Sequence, residues 1–360
     1  MPGVALVLAL GALSGARPLR AAADTLPTRL SDPEFWKIVS EFSEDNGYFR
    51  SDNLLSNEIW FQIVIPDLIS RTRPGGVYLG VGPEQNFTYI AALKPKMVFI
   101  TDIRRGNLHT QLMYKALFEL SADRADFMSR LFTKKRPAGM TAQTSAHDLQ
   151  QAYWDVQTSD EATYKANLQE IDDLLTKKHG LALGKEDLEG IEYVYHSFYW
   201  FGPRINYNSS TNGGIGGNFV SYADLMEAAD GAGAFRSFLA NEENYKVLRD
   251  LEEKNLIVPL VGNFAGPKAL RAVGKYLKDH GATVTAFYLS NVEQYLNQDG
   301  IWINFCTNVA TMPLDTSSTF IRTSQGGGMG RGGGLMTSLG SMQAETRNCG
   351  GGRPSPAGVR

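Results

Sequence analysis

Between about Leu30 and Thr323, apolar runs of strand length alternate with stretches whose apolar residues recur at helical spacing. Such alternation predicts strands joined through helices, and hence a mainly parallel sheet covered on both faces. Helices are expected over Glu34 to Phe42 and Asn57 to Ser70, the second halted near Pro74-Gly75-Gly76. Val77-Tyr78-Leu79-Gly80-Val81-Gly82 reads as a short buried strand ending in glycines, and Met97 to Asp102 as a second. Phe87 to Leu93, closed by Pro95, is a short helix between them, which makes a β-α-β unit.

From Leu108 to about Leu188 strand pattern is nearly absent. Leu112, Ala116 and Leu120, then Leu168, Ile171 and Leu175, fall at helix spacing, so a helical insertion is expected there. Ile191 to Trp200, aromatic and β-branched, fits a strand, and Asn206 to Asn218 a polar, glycine-rich, mobile loop. After helices around Ser221 to Ala229 and Glu242 to Lys254, strands resume at Leu256 to Val261 and Thr283 to Leu289. They flank a helix from Pro267 to Lys278 with Pro267 in its first turn. Ile301 to Phe305 and Thr319 to Arg322 would supply the last strands. The expected class is α/β, one open sheet drawn from both halves of the chain.

Composition narrows the partners. In 360 residues, 43% hydrophobic and 20% charged, a large core is available. The net charge of −3 is spread without a basic stripe, so no nucleic acid is expected as partner. Cys306 and Cys349 are too few for a disulfide framework or a thiolate metal site, and residues from 324 to 360 read as a disordered, glycine-rich tail. His109, His147, His179, His196 and His280 are scattered, with no pair at i, i+4, and no metal is expected. Val4 to Leu13 is apolar and followed by small residues, which resembles a signal peptide within residues 1–29 and is too short for a membrane span. No Lys or Arg precedes the run and Arg17 and Arg20 follow it, so a disordered extension is the alternative. The first reading implies a periplasmic or secreted protein, the second a cytoplasmic one.

The chemistry concentrates at the first strand's end. In Gly80-x-Gly82 one glycine permits a sharp turn and the other lets backbone approach a ligand. Asp102 ends the next strand, about twenty residues on, where a carboxylate can accept from both ribose hydroxyls of a nucleoside. A dinucleotide fingerprint needs a third small residue, but Gln85 stands there, and Glu84 would repel a pyrophosphate. The competing explanation is a glycine turn and a strand-end aspartate that serve folding alone.

At these residues the chain resembles class I S-adenosylmethionine-dependent methyltransferases. Val77 to Glu84 is similar to that family's first motif and Phe99-Ile100-Thr101-Asp102-Ile103 to its second. The resemblance implies a Rossmann-like open, mainly parallel sheet, with the cofactor S-adenosylmethionine held by Gly80, Gly82, Pro83, Glu84, Asp102 and Ile103. Within it, Gly80 and Gly82 would line methionine and ribose, and Asp102 would hold the ribose hydroxyls. Two positions depart: the family usually has an acid where Tyr78 stands and a glycine where Glu84 stands. Ser51 to Glu58 and Ser290 to Leu296 are similar to stretches of uncharacterised bacterial methyltransferase-like proteins, which brings no known reaction.

Further pocket candidates each have a structural alternative. Asn57 and Glu58 could face a ligand or, with Ser56, cap a helix. Asn263, after the strand ending at Val261, could orient a substrate or form a turn. Ser290 and Asn291 follow another strand, and Asn291 could instead be a helix N-cap. Tyr195, His196, Tyr199 and Trp200 could stack on a flat substrate, with His196 as a base, or belong to the core. The expectation is a methyltransferase acting on an unknown small molecule or protein, with no catalytic residue assigned. A non-catalytic nucleoside-binding module and an NAD-dependent oxidoreductase are the alternatives.

Overall fold

The structure, a computed structural model, describes residues 24–209, 219–325 and 335–349. Its centre is one sheet of six strands: β1 (Val77–Gly80), β2 (Met97–Asp102), β3 (Ile257–Val261), β4 (Val284–Ser290), β5 (Thr319–Gln325) and β6 (Leu335–Ser341). The order is β3-β2-β1-β4-β5-β6; the first five are parallel and β6 pairs antiparallel to β5. Every residue of β1, β2 and β3 is buried, as expected of strands covered on both faces. The chain steps outward from β1 to β3 and then returns to the other side of β1, so strand order reverses between β1 and β4. At such a reversal the flanking connections leave the sheet on opposite faces and a crevice opens at the carboxyl edge.

Local signals set most boundaries. Helix Asp32–Phe42 starts at a capping box between Ser31 and Glu34, with Pro33 in its first turn. Helix Gln85–Leu93 stops where Lys94 turns left-handed at φ 47°. The insertion comprises helices from Arg105–Leu120 to Lys185–Phe201. It shares the sheet's core: Phe118 stacks on Phe127 at 4.7 Å, and Phe87 meets Phe118 and Phe238 edge-on at 5.4 Å.

Several expectations fail here. Ile191 to Trp200 is not a strand but lies within helix Lys185–Phe201, whose buried Ile191, Val194, Tyr195 and Phe198 follow helical spacing, which overrides β-branched and aromatic content. Ile301 to Phe305 belongs to helix Trp302–Ala310, with Phe305, Cys306 and Val309 inward; a five-residue apolar run cannot specify its own period. The helix from Asn57 starts late, as a 3₁₀ turn Phe61–Val64 leading into helix Ile65–Arg71, because Glu58 turns into the interior. Pro267 precedes helix Ala269–Asp279 without entering it.

The chain does not stop at Thr323. β6 alternates half-buried Leu335 and Leu339 and buried Thr337 with exposed Met336 and Ser338, and helix Met342–Thr346 buries Met342. Cys349 is disulfide-bonded to Cys306, Cα to Cα 5.5 Å, so the two cysteines do pair. At the other end Leu26 is buried and the Thr25 N–H donates to the His280 carbonyl at 2.8 Å, so residues 24–29 pack on the fold. The signal-like segment, most of the Asn206 to Asn218 loop and the remainder of the tail lie outside the described residues. Among the described residues no helix is long and apolar enough to cross a membrane.

Candidate functional site

A cavity of about 590 Å³ opens at the carboxyl edge of the sheet, at the β1/β4 reversal. Gly82, Pro83, Asp102, Ile103, Asn57, Glu58, Asn263, Ser290 and Asn291 line it. Gly80 and Glu84 do not: both are buried behind the turn.

The turn is built by residues the sequence reading passed over. Asn86 Nδ2 donates to the carbonyls of Val81 at 2.9 Å, Gly82 at 3.3 Å and Pro83 at 2.8 Å. Tyr78 donates its hydroxyl to Asn86 Oδ1 at 2.9 Å, and Gln111 Nε2 donates to Gly82 O at 3.0 Å. The turn's carbonyls are thus tied inward. A Cβ on Gly80 would come 2.0 Å from Asn86 Oδ1, so this glycine serves the close approach of that amide. Gly82 has φ +76°, and a Cβ there would meet nothing within 4 Å; it faces open space. The only signal for Asn86 in the sequence is a polar residue on a helix that is buried nearly all round.

Asp102 is 4% exposed. Its Oδ1 accepts from the Arg104 N–H at 2.9 Å and its carbonyl from Gly262 N–H at 2.8 Å. Burial pushes its pKa above the ordinary carboxylate value, against the opposing pull of the Arg104 guanidinium and the backbone amides of Arg104 and Gly82. Ile103 packs on Gly47, whose N–H bonds the Ile103 carbonyl at 2.8 Å, which draws the segment after the first helix over this wall. Glu44 on that segment accepts from the N–H groups of Asn263, Lys268 and Ala269 at 3.1, 2.8 and 2.9 Å, capping helix Ala269–Asp279 from a distance. Asn263 spends its Oδ1 on the Ala265 N–H at 2.9 Å, the turn-forming alternative, while still lining the cavity.

Of the two readings of Glu58 the structure favours the pocket over the helix cap: it is 2% exposed, on the cavity floor. Its Oε2 accepts from Tyr288 at 2.7 Å and Thr323 at 2.6 Å, and its Oε1 from the Ser290 hydroxyl. Among the described residues no Lys, Arg or His pairs with it, and burial raises its pKa against the three hydroxyls. Ser290 ends β4 at φ +49°, uncommon for a residue with a Cβ, beside a register shift against β5. Asn291 holds the N-cap position of helix Val292–Gln298, but its side chain makes no capping bond.

Glu84 is also corrected. It is fully buried, its Oε1 accepts from the Ser56 N–H at 3.3 Å, and burial pushes its pKa up to about 8, with Glu58 adding to the shift. It does not line the cavity and burial favours its neutral form, so it is not placed to repel a pyrophosphate there. Tyr195, His196, Tyr199 and Trp200 are not in the cavity wall. Tyr195 bonds Thr133 at 2.9 Å and the Arg130 carbonyl at 2.8 Å, the core reading, and His196 stacks on Trp200 at 6.1 Å.

With this geometry in place, the chain can be set beside known proteins. The model of a family described as a domain of unknown function, DUF7790, matches residues 54–338. The chain belongs to the DUF7790 family. The DUF7790 match spans the glycine turn, Asp102, Glu58, Ser290 and the insertion, so the whole cavity floor lies within it. A search of curated proteins gives no match to the sequence.

Much of the remaining wall of the DUF7790 cavity comes from two stretches far apart in sequence, residues 53–58 without Leu54 and residues 290–296 without Glu293. They meet where the Ser290 hydroxyl donates to Glu58. Phe49 meets Tyr295 edge-on at 5.1 Å and the Arg50 guanidinium reaches the Tyr295 hydroxyl at 3.5 Å, which closes one side. The lining carries three carboxyls, of Glu58, Asp102 and Asp299, and one guanidinium, of Arg50, with the Arg104 guanidinium 3.9 Å from Asp102.

Proposed function

We propose that this DUF7790 chain is a methyltransferase-like protein that binds S-adenosylmethionine on a Rossmann-like sheet and passes the methyl group to an acceptor seated in the same cavity. The observation that carries the reading is the juxtaposition of the Gly82 turn and Asp102 in one cavity at the β1/β4 order reversal, where open α/β sheets take their ligands. Gly82 offers bare backbone with open space where a side chain would stand, and Asp102 offers a buried carboxylate suited to a pair of ribose hydroxyls. These residues fit the nucleoside half of the cofactor.

The charge of the cavity favours this ligand over a dinucleotide. A wall with three carboxyls and one guanidinium suits a molecule carrying a sulfonium and an ammonium, and disfavours two phosphates. Gln85, in the first helical turn after Gly82, also stands in the wall where a pyrophosphate would approach the helix. The bound cofactor supplies an electrophilic methyl group. The protein supplies position: Asp102 and the Gly82 backbone orient the nucleoside, and the aromatic side with Phe49, Tyr295 and Phe264 excludes water from the acceptor.

Isothermal titration with S-adenosylmethionine, S-adenosylhomocysteine and NAD tests the reading. The two adenosyl ligands are expected to bind and NAD not to. Absence of binding by both adenosyl ligands overturns it, and tight NAD binding would return the oxidoreductase alternative. Formation of S-adenosylhomocysteine with candidate acceptors separates transfer from binding alone.

A further inference from the structure

The floor of the cavity holds more acceptors than its protein partners satisfy. Tyr288 has one proton and gives it to Glu58 Oε2, so its oxygen must accept, and Gln85 Nε2 donates to it at 2.7 Å. That fixes the Gln85 amide with nitrogen toward Tyr288 and turns its oxygen away. Gln85 Oε1 is buried and has no hydrogen-bond partner, on a side chain 3% exposed that lines the cavity. Glu58 is a carboxylate with about four lone-pair sites. Tyr288 and Thr323 take two on Oε2 and Ser290 one on Oε1, which leaves a site on Oε1. Asn291 Oδ1 lies 3.4 Å from Ser290 Oγ, on the same side.

A buried carboxylate with no counter-charge among the described residues is costly in a finished protein interior. It is explained when the missing partner is a ligand group that brings a positive charge and several donors. A primary ammonium is such a group, a compact cation with three N–H donors. The Ser290 backbone fits the same account: a non-glycine residue at φ +49° places its hydroxyl on Glu58, a conformation that costs free energy and clusters at ligand sites.

We propose that Glu58, with the side-chain oxygen of Asn291 on the same side, forms the seat of a primary ammonium on the bound ligand. Resting on the S-adenosylmethionine reading, that ammonium is the amino group of the methionine portion, and the seat fixes which way along the cavity the cofactor lies, with the nucleoside toward Asp102.

The test compares three probes on one protein: S-adenosylhomocysteine, decarboxylated S-adenosylmethionine, which keeps the amine but lacks the carboxylate, and 5′-methylthioadenosine, which lacks both. Titration of wild type and Glu58→Gln, each with a thermal melt, is expected to show at least about a tenfold loss for the two amine-bearing probes, as for a lost charge-assisted hydrogen bond. Binding of 5′-methylthioadenosine should stay within about twofold, because it makes no bond to the seat. Asn291→Ala, which removes no capping bond, should lower the same two affinities several-fold and serves if Glu58→Gln does not fold. Equal losses for all three probes, or none, overturn the ammonium seat while leaving the cofactor reading in place. If wild type binds none of the three, the cofactor reading falls and the seat with it.

Discussion

Gly82 and Asp102 sit side by side, yet they are constrained by different physics. Gly82 is held by backbone conformation: at φ +76° a Cβ costs about 1 kcal/mol or more even though it would meet no atom. Gly82→Ala should therefore lower the melting temperature modestly and weaken adenosyl binding as well, since its methyl enters the space left for ligand. Unchanged titration with S-adenosylhomocysteine would separate the turn from the ligand. Asp102 is held by its carboxylate. Replacing it by Ala should weaken S-adenosylhomocysteine binding at least about tenfold, because each charge-assisted bond to a ribose hydroxyl contributes about 1.5–3 kcal/mol. Asp102→Asn should fall between, since an amide oxygen still accepts but carries no charge. The side chain is buried and bonded to the Arg104 N–H, not near water as a strand-end acid suggests, so Asp102→Ala also orphans an amide and melts earlier. Equal affinity of Asp102→Ala and wild type would remove this residue from the grip.

The element least legible in the sequence is β6 with the helix after it. Glycine-rich flanks mask a seven-residue strand whose alternation is weak, and pairing with β5, the burial of Thr337 and Met342 and the Cys306–Cys349 bond make it part of the fold. The bond closes a loop of 43 residues, for which the chain-entropy relation gives roughly 4 kcal/mol of stabilisation. Reduction, or Cys349→Ser, should lower the melting temperature and raise hydrogen exchange in β6 first. Because Leu335 lines the cavity, reduction should also loosen ligand binding. A reduced protein with unchanged exchange in β6 would show that pairing to β5 suffices. Helix Lys185–Phe201 makes the complementary point: its aromatic and β-branched residues fit either period until the inward set of Ile191, Val194, Tyr195 and Phe198 is known.

At the scale of the whole molecule, buried acids set the pH dependence of stability. Burial raises Glu84 and Glu252 from 4.5 to about 8, in the second case against the pull of Lys115. Between those values the folded state holds protons that the unfolded chain has lost, so stability falls as pH rises from about 4.5 to about 8. Glu119 and Asp187 act oppositely. Burial would raise both, but His179, Lys115 and Lys178 around the first, and Arg105 and His109 around the second, outweigh it and hold each at about 2. Their contribution is present above the ordinary carboxylate range and is lost as pH falls toward about 2. Melting temperature should thus climb on acidification from about pH 8.5 to about 5.5 and fall again below about 4. Glu84→Gln should flatten the alkaline limb, and a curve that rises steadily toward pH 8 would contradict the buried neutral acids.

The β-α-β unit with Gly80, Gly82 and Asp102 was readable from sequence, because strand period, turn glycine and strand-end carboxylate are local and fall within one short window. So was the alternation that makes a mostly parallel sheet. Glu58 was legible only as one of two alternatives: before an apolar helix, Ser56-Asn57-Glu58 fits a cap as well as a pocket. Its place is decided by Tyr288, Ser290 and Thr323, which arrive from strands more than two hundred residues away. Asn86 and Gln111 gave almost no signal, since a turn's carbonyls acquire their donors only once helices pack against it. Nor could the sequence tell that Glu84 is fully buried away from the cavity, because that depends on packing. The sequence by itself determined which segments are strands around the glycine turn and that the turn and Asp102 end neighbouring strands. Tertiary structure alone decided which acids share one cavity, which are silenced by burial, and that the last strand closes the sheet, since each depends on partners distant along the chain.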